Sequence, residues 1–303
     1  MNRQLVAACG ALALVTVLMP SAGASGNSKW SEWSTPVPVL NINSASEDAN
    51  PAISKDGLSL YFQSTRPGGH GALDLYVAQR ITTDMDWNLP MNLGPVINTA
   101  SPELVPALSR DGHYLFFVSP RATGLADIYV SYRKDVHDDF AWEEPMMLGP
   151  EINTPSSIDT GPSFFENDNN GLPQLYFNSN RLGSNDIFMA EMNADGGFLP
   201  AVVVLELSSP QNDIAPEIFR NGLEMFFQSD RPGTLGGADL WTSGRDSVLD
   251  PWSPPVNLGM IVNSVSNDGG PAVSSDGKVL FFNSSRSGGL GAADIYMTTR
   301  TKR

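Results

Sequence analysis

Five acidic residues recur along this 303-residue chain at intervals of 54 to 56 residues, each three positions before a proline. The acids are Asp48, Glu103, Asp159, Asp213 and Asp268. Five arginines recur in step with them: Arg66, Arg121, Arg181, Arg231 and Arg286. Carboxylates can act as general acids and bases or bind cations, whereas an arginine fork pairs well with a carboxylate. The pattern leaves two alternatives, which are five structural ion pairs or a ring of functional carboxylates.

The segments between these residues predict four short strands per copy. Each copy has an Asp-Gly or Asn-Gly dipeptide, which favours the type I′ turn of a tight hairpin. A bulky run such as Leu115 to Phe117 follows, and then an Asp-aliphatic-aromatic triplet. The triplet aspartates, interpreted as structural repeat residues, are Asp74, Asp127, Asp186, Asp239 and Asp294. A unit of about fifty residues with four strands and no helical periodicity is typical of a propeller blade.

The chain is therefore predicted to be an all-β, five-bladed β-propeller of four-stranded antiparallel blades. The blades are expected at residues 44–95, 99–150, 154–206, 209–260 and 264–300. The last copy has no outer strand of its own, whereas an extra strand-like segment, 33–40, precedes the first copy. We expect residues 33–40 to complete the last blade, because closing the ring removes exposed strand edges.

The first 24 residues are typical of a secretory signal peptide, with Arg3, an apolar stretch from Leu5 to Met19 and a small-residue cleavage site. Residues 25–32 are interpreted as a linker and 33–303 as one propeller domain. The single cysteine, Cys9, lies in the signal peptide, so the mature chain has no thiol nucleophile and no disulfide. We expect a monomeric protein that is periplasmic or secreted.

The composition limits the partners and cofactors. A formal net charge of −15 makes nucleic acid and anionic membranes poor partners, whereas cations, cationic patches or neutral glycans fit better. No later segment is apolar enough to span a membrane. The turn of the third copy, Glu166 to Gly171, slightly resembles a calcium loop but lacks its downstream acid. We predict no metal site and no cofactor, with Ca²⁺ at this turn as the alternative.

The repeat resembles the WD40-like propeller repeat of bacterial envelope proteins. The shared features are the opening Trp and Pro, the Leu-Gly and Ile-Asn dipeptides, the acid-to-proline spacing, the Asp-Gly turn, and the glycine-rich loop before the Asp triplet. Similar repeats occur in the Tol-system periplasmic propeller and before OmpA-type peptidoglycan-binding domains. This chain has five recognisable copies where the Tol protein has six blades, and it shows neither relative's additional domain. The resemblance implies an envelope role but no specific partner.

Blade topology places the loops that carry the five acids and the five arginines on one face, opposite the hairpin turns. We interpret these ten residues as candidates for a ligand face, and no catalytic residue is predicted. The predicted function is a protein- or glycan-binding scaffold in the cell envelope, with an envelope protein or peptidoglycan as partner. The protein is thus expected to be a binding module rather than an enzyme.

The alternative function is a carbohydrate-active hydrolase or lyase that uses carboxylates at the mouth of the channel. A glycosidase needs two carboxylates at a defined separation, so a catalytic pair should break the fivefold pattern. The third and fourth copies are the least regular, and any ligand groove is expected beside the loops that follow Arg181 and Arg231.

Overall fold

A computed structural model describes residues 30–167 and 172–303 of the chain. Among these residues, twenty short strands form five four-stranded antiparallel sheets and no helix is present. The inner strands of neighbouring sheets contact one another in a closed cycle. The five-bladed β-propeller predicted from the repeat is therefore confirmed. The predicted signal peptide lies outside the described residues.

Each blade is built from four strands that follow one another outward from the channel. The inner strands are β2 (Asp48–Ile53), β6 (Leu104–Leu108), β10 (Asp159–Phe165), β14 (Asp213–Ile218) and β18 (Asp268–Val273). The second strands are β3 (Ser59–Ser64), β7 (Tyr114–Ser119), β11 (Gln174–Ser179), β15 (Glu224–Ser229) and β19 (Val279–Ser284). The third strands are β4 (Asp74–Gln79), β8 (Asp127–Tyr132), β12 (Asp186–Glu191), β16 (Asp239–Gly244) and β20 (Asp294–Thr299). The outer strands are β1 (Val37–Pro38), β5 (Met91–Asn92), β9 (Met146–Met147), β13 (Val202–Val203) and β17 (Val256–Asn257).

The first strand closes the ring, as predicted. Strand β1 is the outer strand of the last blade, where Val37 pairs with Met297 and Pro38 with Tyr296 of β20. The N–H of Val39 donates to the carbonyl of Ile295, which extends the contact. Closure gives the last blade the same four strands as the others, so β20 is not left as an unpaired outer edge.

The hydrophobic core lies between the blades. One cluster joins Tyr61 and Leu75 of the first blade to Leu115 and Phe117 of the second. Four further clusters repeat this arrangement around the ring. Because a blade packs against a neighbour on each side, its second and third strands are buried on both faces. This burial explains why they read as continuous bulky runs instead of alternating apolar and polar residues.

Each inner strand contains a bulge directly before the repeat proline. The pairing of the inner and second strands shifts register there in all five blades. The bulge residues have φ between 47° and 64°, and they are Asn50, Val105, Gly161, Ala215 and Gly270. Three of their N–H groups donate to side-chain amides of the preceding blade, for example Val105 to Gln63 Oε1 at 3.0 Å. The repeat proline therefore marks a bulge that ties neighbouring blades together at the channel.

Substitution of Gly161 by alanine tests whether the close contact between the inner strands of neighbouring blades at the bulge is important for stability. An added Cβ would lie 2.4 Å from Asn178 Oδ1 and 3.0 Å from the Cα of Ala215. We expect the free energy of unfolding to fall by about 2 kcal/mol or more, measured by urea denaturation. The control is Gly94→Ala, where φ is also positive but no atom lies within 4 Å of the added Cβ. Equal losses in the two variants would show that the approach of the blades at Gly161 is unimportant.

Candidate functional site

The repeat acids and repeat arginines form five ion pairs, one in each blade. The joined atoms are 2.5 to 2.9 Å apart, and all five carboxyl groups are fully buried. In the first blade, Arg66 pairs with Asp48, donates to the carbonyl of Ile42 and lies over the rings of Phe62 and Tyr76. The other four arginines make equivalent contacts. We call each of these ion pairs, with its contacts to the carbonyl and the aromatic rings, a structural clasp. None of the ten residues lines the channel.

The triplet aspartates hold the glycine-rich loops between the second and third strands. Asp74 accepts hydrogen bonds from the N–H groups of His70 and Gly71 and from the side-chain amide of Asn92. Asp294 accepts in the same way from Leu290 and Gly291. Asp239 accepts from Leu235 and Asn257, and Asp127 accepts from Thr123. These carboxylates therefore support loop structure.

The junction of the third and fourth copies departs from this pattern. In the described part of the chain, the carboxyl group of Asp186 accepts one long hydrogen bond, from Ser184 Oγ at 3.4 Å. Burial and the nearby charge of Asp213 raise the pKa of Asp186, although this hydrogen bond opposes the shift. Oδ2 of Asp213 is buried with no hydrogen-bond partner among the described residues. The ligand groove expected beside the loops that follow Arg181 and Arg231 remains a prediction. The departure found here concerns two carboxyl groups that lie outside the lining of the axial cavity.

A second arginine series, absent from the sequence predictions, packs on the opposite face. Its members directly follow the third strands and are Arg80, Arg133, Arg245 and Arg300. Each guanidinium lies 4.1 to 4.4 Å from the centroid of an opening tryptophan ring. Each Nε donates to the carbonyl of the glycine in a hairpin turn. The sequence did contain a signal for this series. An arginine occurs at the equivalent position of every copy except the third, which has Met192.

We call the surface formed by the hairpin turns the hairpin face and the opposite surface the loop face. A cavity of about 110 Å³ lies on the propeller axis, opens toward the hairpin face and is lined by the inner strands. The residues that directly follow the repeat prolines line it, and they are Ala52, Ala107, Ser163, Glu217 and Ala272. Three copies have an alanine at this position, whereas the third copy has the hydroxyl group of a serine and the fourth copy has the carboxyl group of a glutamate. Fivefold symmetry is therefore broken inside the channel by two polar side chains.

Glu217 bridges the blades on either side of its own. Its Oε2 accepts a hydrogen bond from Ser163 Oγ of the third blade at 3.1 Å, and its Oε1 accepts from the N–H of Val273 in the fifth blade at 3.3 Å. Ser163 Oγ also accepts from the N–H of Ile218 at 3.1 Å, which positions the hydroxyl. Burial raises the pKa of Glu217 to about 7, against the opposing effect of the two hydrogen bonds that it accepts. Both its acid and its carboxylate forms are therefore populated near neutral pH, as general acid–base catalysis requires.

Within the described residues, two more carboxylates line the ends of the channel. Glu166 lies at the hairpin-face end, where the equivalent residues are Lys55, Arg110, Arg220 and Ser275. Glu47 lies at the loop-face end, where the equivalent residues are Pro102, Ile158, Asn212 and Asn267. Like Glu217, each of these acids occurs in only one copy. The sequence predictions named Glu166 only as the first residue of the possible calcium turn. They missed Glu47 and Glu217, because the candidate acids were positions that are acidic in every copy.

The described residues contain no cluster of three or more His, Cys, Asp or Glu side chains that could hold a metal ion. Residues 168–171 of the third-copy turn, the one candidate for a calcium loop, lie outside the described part of the chain. No helix that could span a membrane occurs in the segments that the structure describes.

The raised pKa of Glu217 predicts a pH-dependent stability. Folding keeps the proton on this side chain between the ordinary glutamate value of 4.5 and about 7. Its favourable contribution is therefore fully present below the lower value and is lost as the pH rises through about 7. Glutamine cannot ionise, so the free energy of unfolding of Glu217→Gln does not carry this loss. Between about pH 5 and about pH 8, the difference in free energy of unfolding should shift by more than about 1 kcal/mol in favour of the variant. Thermal melts of both proteins across this range measure the difference, and parallel curves would contradict the shifted pKa.

Comparison with known proteins identifies similar folds at low sequence identity. No family model matches this chain, and no curated protein matches its sequence. A thermostable family-43 glycoside hydrolase has a TM-score of 0.61 at 13% identity, over 88% of this chain and 92% of the hydrolase. An α-L-arabinofuranosidase from Podospora anserina has a TM-score of 0.55 at 12% identity, over 90% of this chain and 98% of that one. A TolB-type protein from Agrobacterium tumefaciens has a TM-score of 0.51 at 16% identity, over 84% of this chain and 78% of that one.

These comparisons correct the function that was predicted first. The prediction of a binding or scaffolding module in the cell envelope is wrong, because the similar structures are mainly glycoside hydrolases. The carboxylates that line the channel also differ from those expected there, since the repeat acids are paired with arginines and Glu47, Glu166 and Glu217 line the channel instead.

Proposed function

We propose that this protein is a glycoside hydrolase in which Glu217 is the general acid. The observation that carries the proposal is a carboxyl group that occurs once among five equivalent positions, lies inside the axial cavity and has a pKa raised to about 7. A general acid must hold its proton at the working pH and release it in the transition state. The burial of Glu217 provides this property, and the hydrogen bonds from Ser163 and Val273 fix its orientation.

The proposed reaction transfers one proton to the substrate and one proton from water. Glu217 protonates the glycosidic oxygen while the bond between that oxygen and the anomeric carbon breaks. A second carboxylate accepts a proton from the water that attacks the anomeric carbon, and the products are two sugars with free hydroxyl groups. We assign the second role to Glu166, because it lines the same cavity.

The similar structures support this class of reaction. They include an arabinofuranosidase from Lactobacillus brevis and a xylan β-1,4-xylosidase from Bacillus halodurans, at 14% and 15% identity. At such identities the similarity concerns the fold, so the chemical argument rests on Glu217 and its surroundings. Export by the predicted signal peptide, together with the repeat's resemblance to envelope propellers, supports action on glycans in the periplasm or outside the cell.

Hydrolysis of a glycan panel tests the proposal. Wild-type protein, Glu217→Gln and Glu206→Gln are incubated with aryl glycosides and with neutral and acidic plant and bacterial polysaccharides. Glu206 is an exposed side chain outside the cavity, so its variant controls for the loss of a carboxyl group. We expect at least one substrate to be cleaved by the wild type and by Glu206→Gln but not by Glu217→Gln. No cleavage by any protein, equal cleavage by all three, or an unsaturated elimination product would overturn the proposal.

A further inference from the structure

The opening of the axial cavity on the hairpin face is rich in positive charge. The residues at this opening lie four positions after each repeat proline, and they are Lys55, Arg110, Glu166, Arg220 and Ser275. We call these five residues the hairpin-face mouth. Three of the five are cationic, although the chain has only 18 Lys and Arg residues against 33 Asp and Glu. The mouth therefore has the opposite charge balance from the protein as a whole.

Two of these cations are exposed and uncommitted to an internal ion pair. Within the described residues, Lys55 has no hydrogen-bond or ion-pair partner, and the only contact of the Arg220 guanidinium is with the ring of Phe219, at 6.0 Å. Arg133, by contrast, is buried and forms an ion pair with Asp139. Charges left exposed at a cavity entrance are available to a ligand.

The aspartates of the neighbouring turns, Asp56, Asp111 and Asp276, accept hydrogen bonds within their own turns and do not line the cavity. Asp56 directs its Oδ1 to the N–H of Leu58 and the hydroxyl of Ser54, and Asp276 does the same with Lys278 and Ser274. Beside Arg220 the turn residue is Asn221, which carries no charge.

We propose that the hairpin-face mouth binds the anionic groups of an acidic glycan, foremost the carboxylate of a uronic acid. This inference rests on the proposed function, because it names the substrate class of the same cavity. A guanidinium fork can donate two parallel hydrogen bonds to a carboxylate, and a lysine adds a second positive charge on the other side of the opening. The two charges hold the glycan over the entrance, so that a neighbouring glycosidic bond reaches Glu217.

Binding to the Glu217→Gln protein tests this inference without turnover. The probes are oligogalacturonides and the same oligosaccharides with their carboxyl groups chemically reduced to alcohols, measured by titration calorimetry. We expect the acidic form to bind at least tenfold more tightly, with an advantage that falls as salt is added. Adding Lys55→Gln and Arg220→Gln should remove most of this advantage, with folding checked by circular dichroism. Adding Lys134→Gln, an exposed lysine beside the same face but outside the cavity, should not.

The outcomes separate this inference from the proposed function. Equal binding of the acidic and reduced oligosaccharides, or an advantage that survives in the double mouth variant, overturns the inference. A preference for sulfated oligosaccharides over uronates overturns the assignment to a carboxylate. Tight, mouth-dependent binding of uronates by a wild-type protein that cleaves no glycan supports the inference and overturns the proposed function. Cleavage of neutral glycans by a protein that binds acidic and reduced oligosaccharides equally well supports the proposed function and overturns this inference.

Discussion

Replacement of Glu217 by glutamine is expected to lower kcat at least about 100-fold on substrates whose leaving group is a sugar. A positioned general acid typically contributes a factor of about 10² to 10⁴. Glutamine keeps the shape and one of the two accepting oxygens of Glu217, but it has no carboxyl proton to donate. The loss should appear in kcat and in kcat/KM together, because the proton is transferred only in the transition state. Steady-state kinetics on the best substrate of the panel measure it.

Two further measurements distinguish a catalytic role of Glu217 from a structural one. Aryl glycosides with very acidic phenol leaving groups need little protonation, so they should lose much less activity in Glu217→Gln than substrates with sugar leaving groups. The wild-type rate should fall as the pH rises through about 7, where Glu217 loses its proton, and this limb should disappear in the variant. A uniform loss over all leaving groups with an unchanged pH profile would contradict general-acid catalysis by Glu217.

Substitution of Asp139 by alanine is expected to lower the free energy of unfolding by about 3–5 kcal/mol. This carboxylate joins the first two blades. It accepts hydrogen bonds from Ser59, Tyr61 and Gln79 of the first blade and from Arg133 of the second, at 2.5 to 2.8 Å. Asp139 and Arg133 are both almost completely buried, at 3% and 2% exposure. Removal of the acid leaves a buried guanidinium without its counter-charge, which is the costly case for an ion pair.

Urea denaturation measures this loss, and two further variants interpret it. Asp135→Ala removes an exposed acid of the same loop, which caps only the N–H of His137, and should cost less than about 1 kcal/mol. The double variant Asp139→Ala with Arg133→Met removes both charges and should recover part of the lost stability. A single variant as stable as the wild type, or no recovery in the double variant, would contradict the role assigned to the pair.

The same network predicts acid sensitivity. Burial raises the pKa of Asp139, but the hydrogen bonds that it accepts lower the pKa by more, so the pKa lies below its ordinary value. The donors are Ser59, Tyr61, Arg133 and Gln79. The stabilisation is present above the ordinary aspartate pKa of about 4 and is lost as the pH falls through the lower folded value.

The architecture of the protein could be predicted from the sequence because it depends on local rules repeated five times. The Asp-Gly and Asn-Gly turns, the bulky runs and the constant spacing each describe one blade, and the segment at 33–40 indicated how the ring closes. The proline bulge was not predicted. The left-handed conformation at Val105 and Ala215 has no sequence signature, because the side-chain amides that accept from their N–H groups belong to the neighbouring blade.

The candidate site could be predicted much less well. Asp48 and its four equivalents attracted attention because they recur, and recurrence is what a structural clasp requires in every blade. Glu217 occurs once, where three other copies have alanine, and that contrast was visible in the aligned repeats. Its surroundings were not visible, since Ser163 and Val273 are about fifty residues away in either direction and meet it only when three blades converge.

The sequence by itself determined the repeat, the blade, the number of blades and the acidic net charge. Only the tertiary structure decided which carboxylates are neutralised by arginine and which line the cavity, because both outcomes depend on distances between separate blades. It also decided where the few cations lie. Net charge is a sum over the whole chain, whereas the attraction of a ligand depends on the charges within a few ångströms of the entrance, where this acidic protein presents Lys55, Arg110 and Arg220.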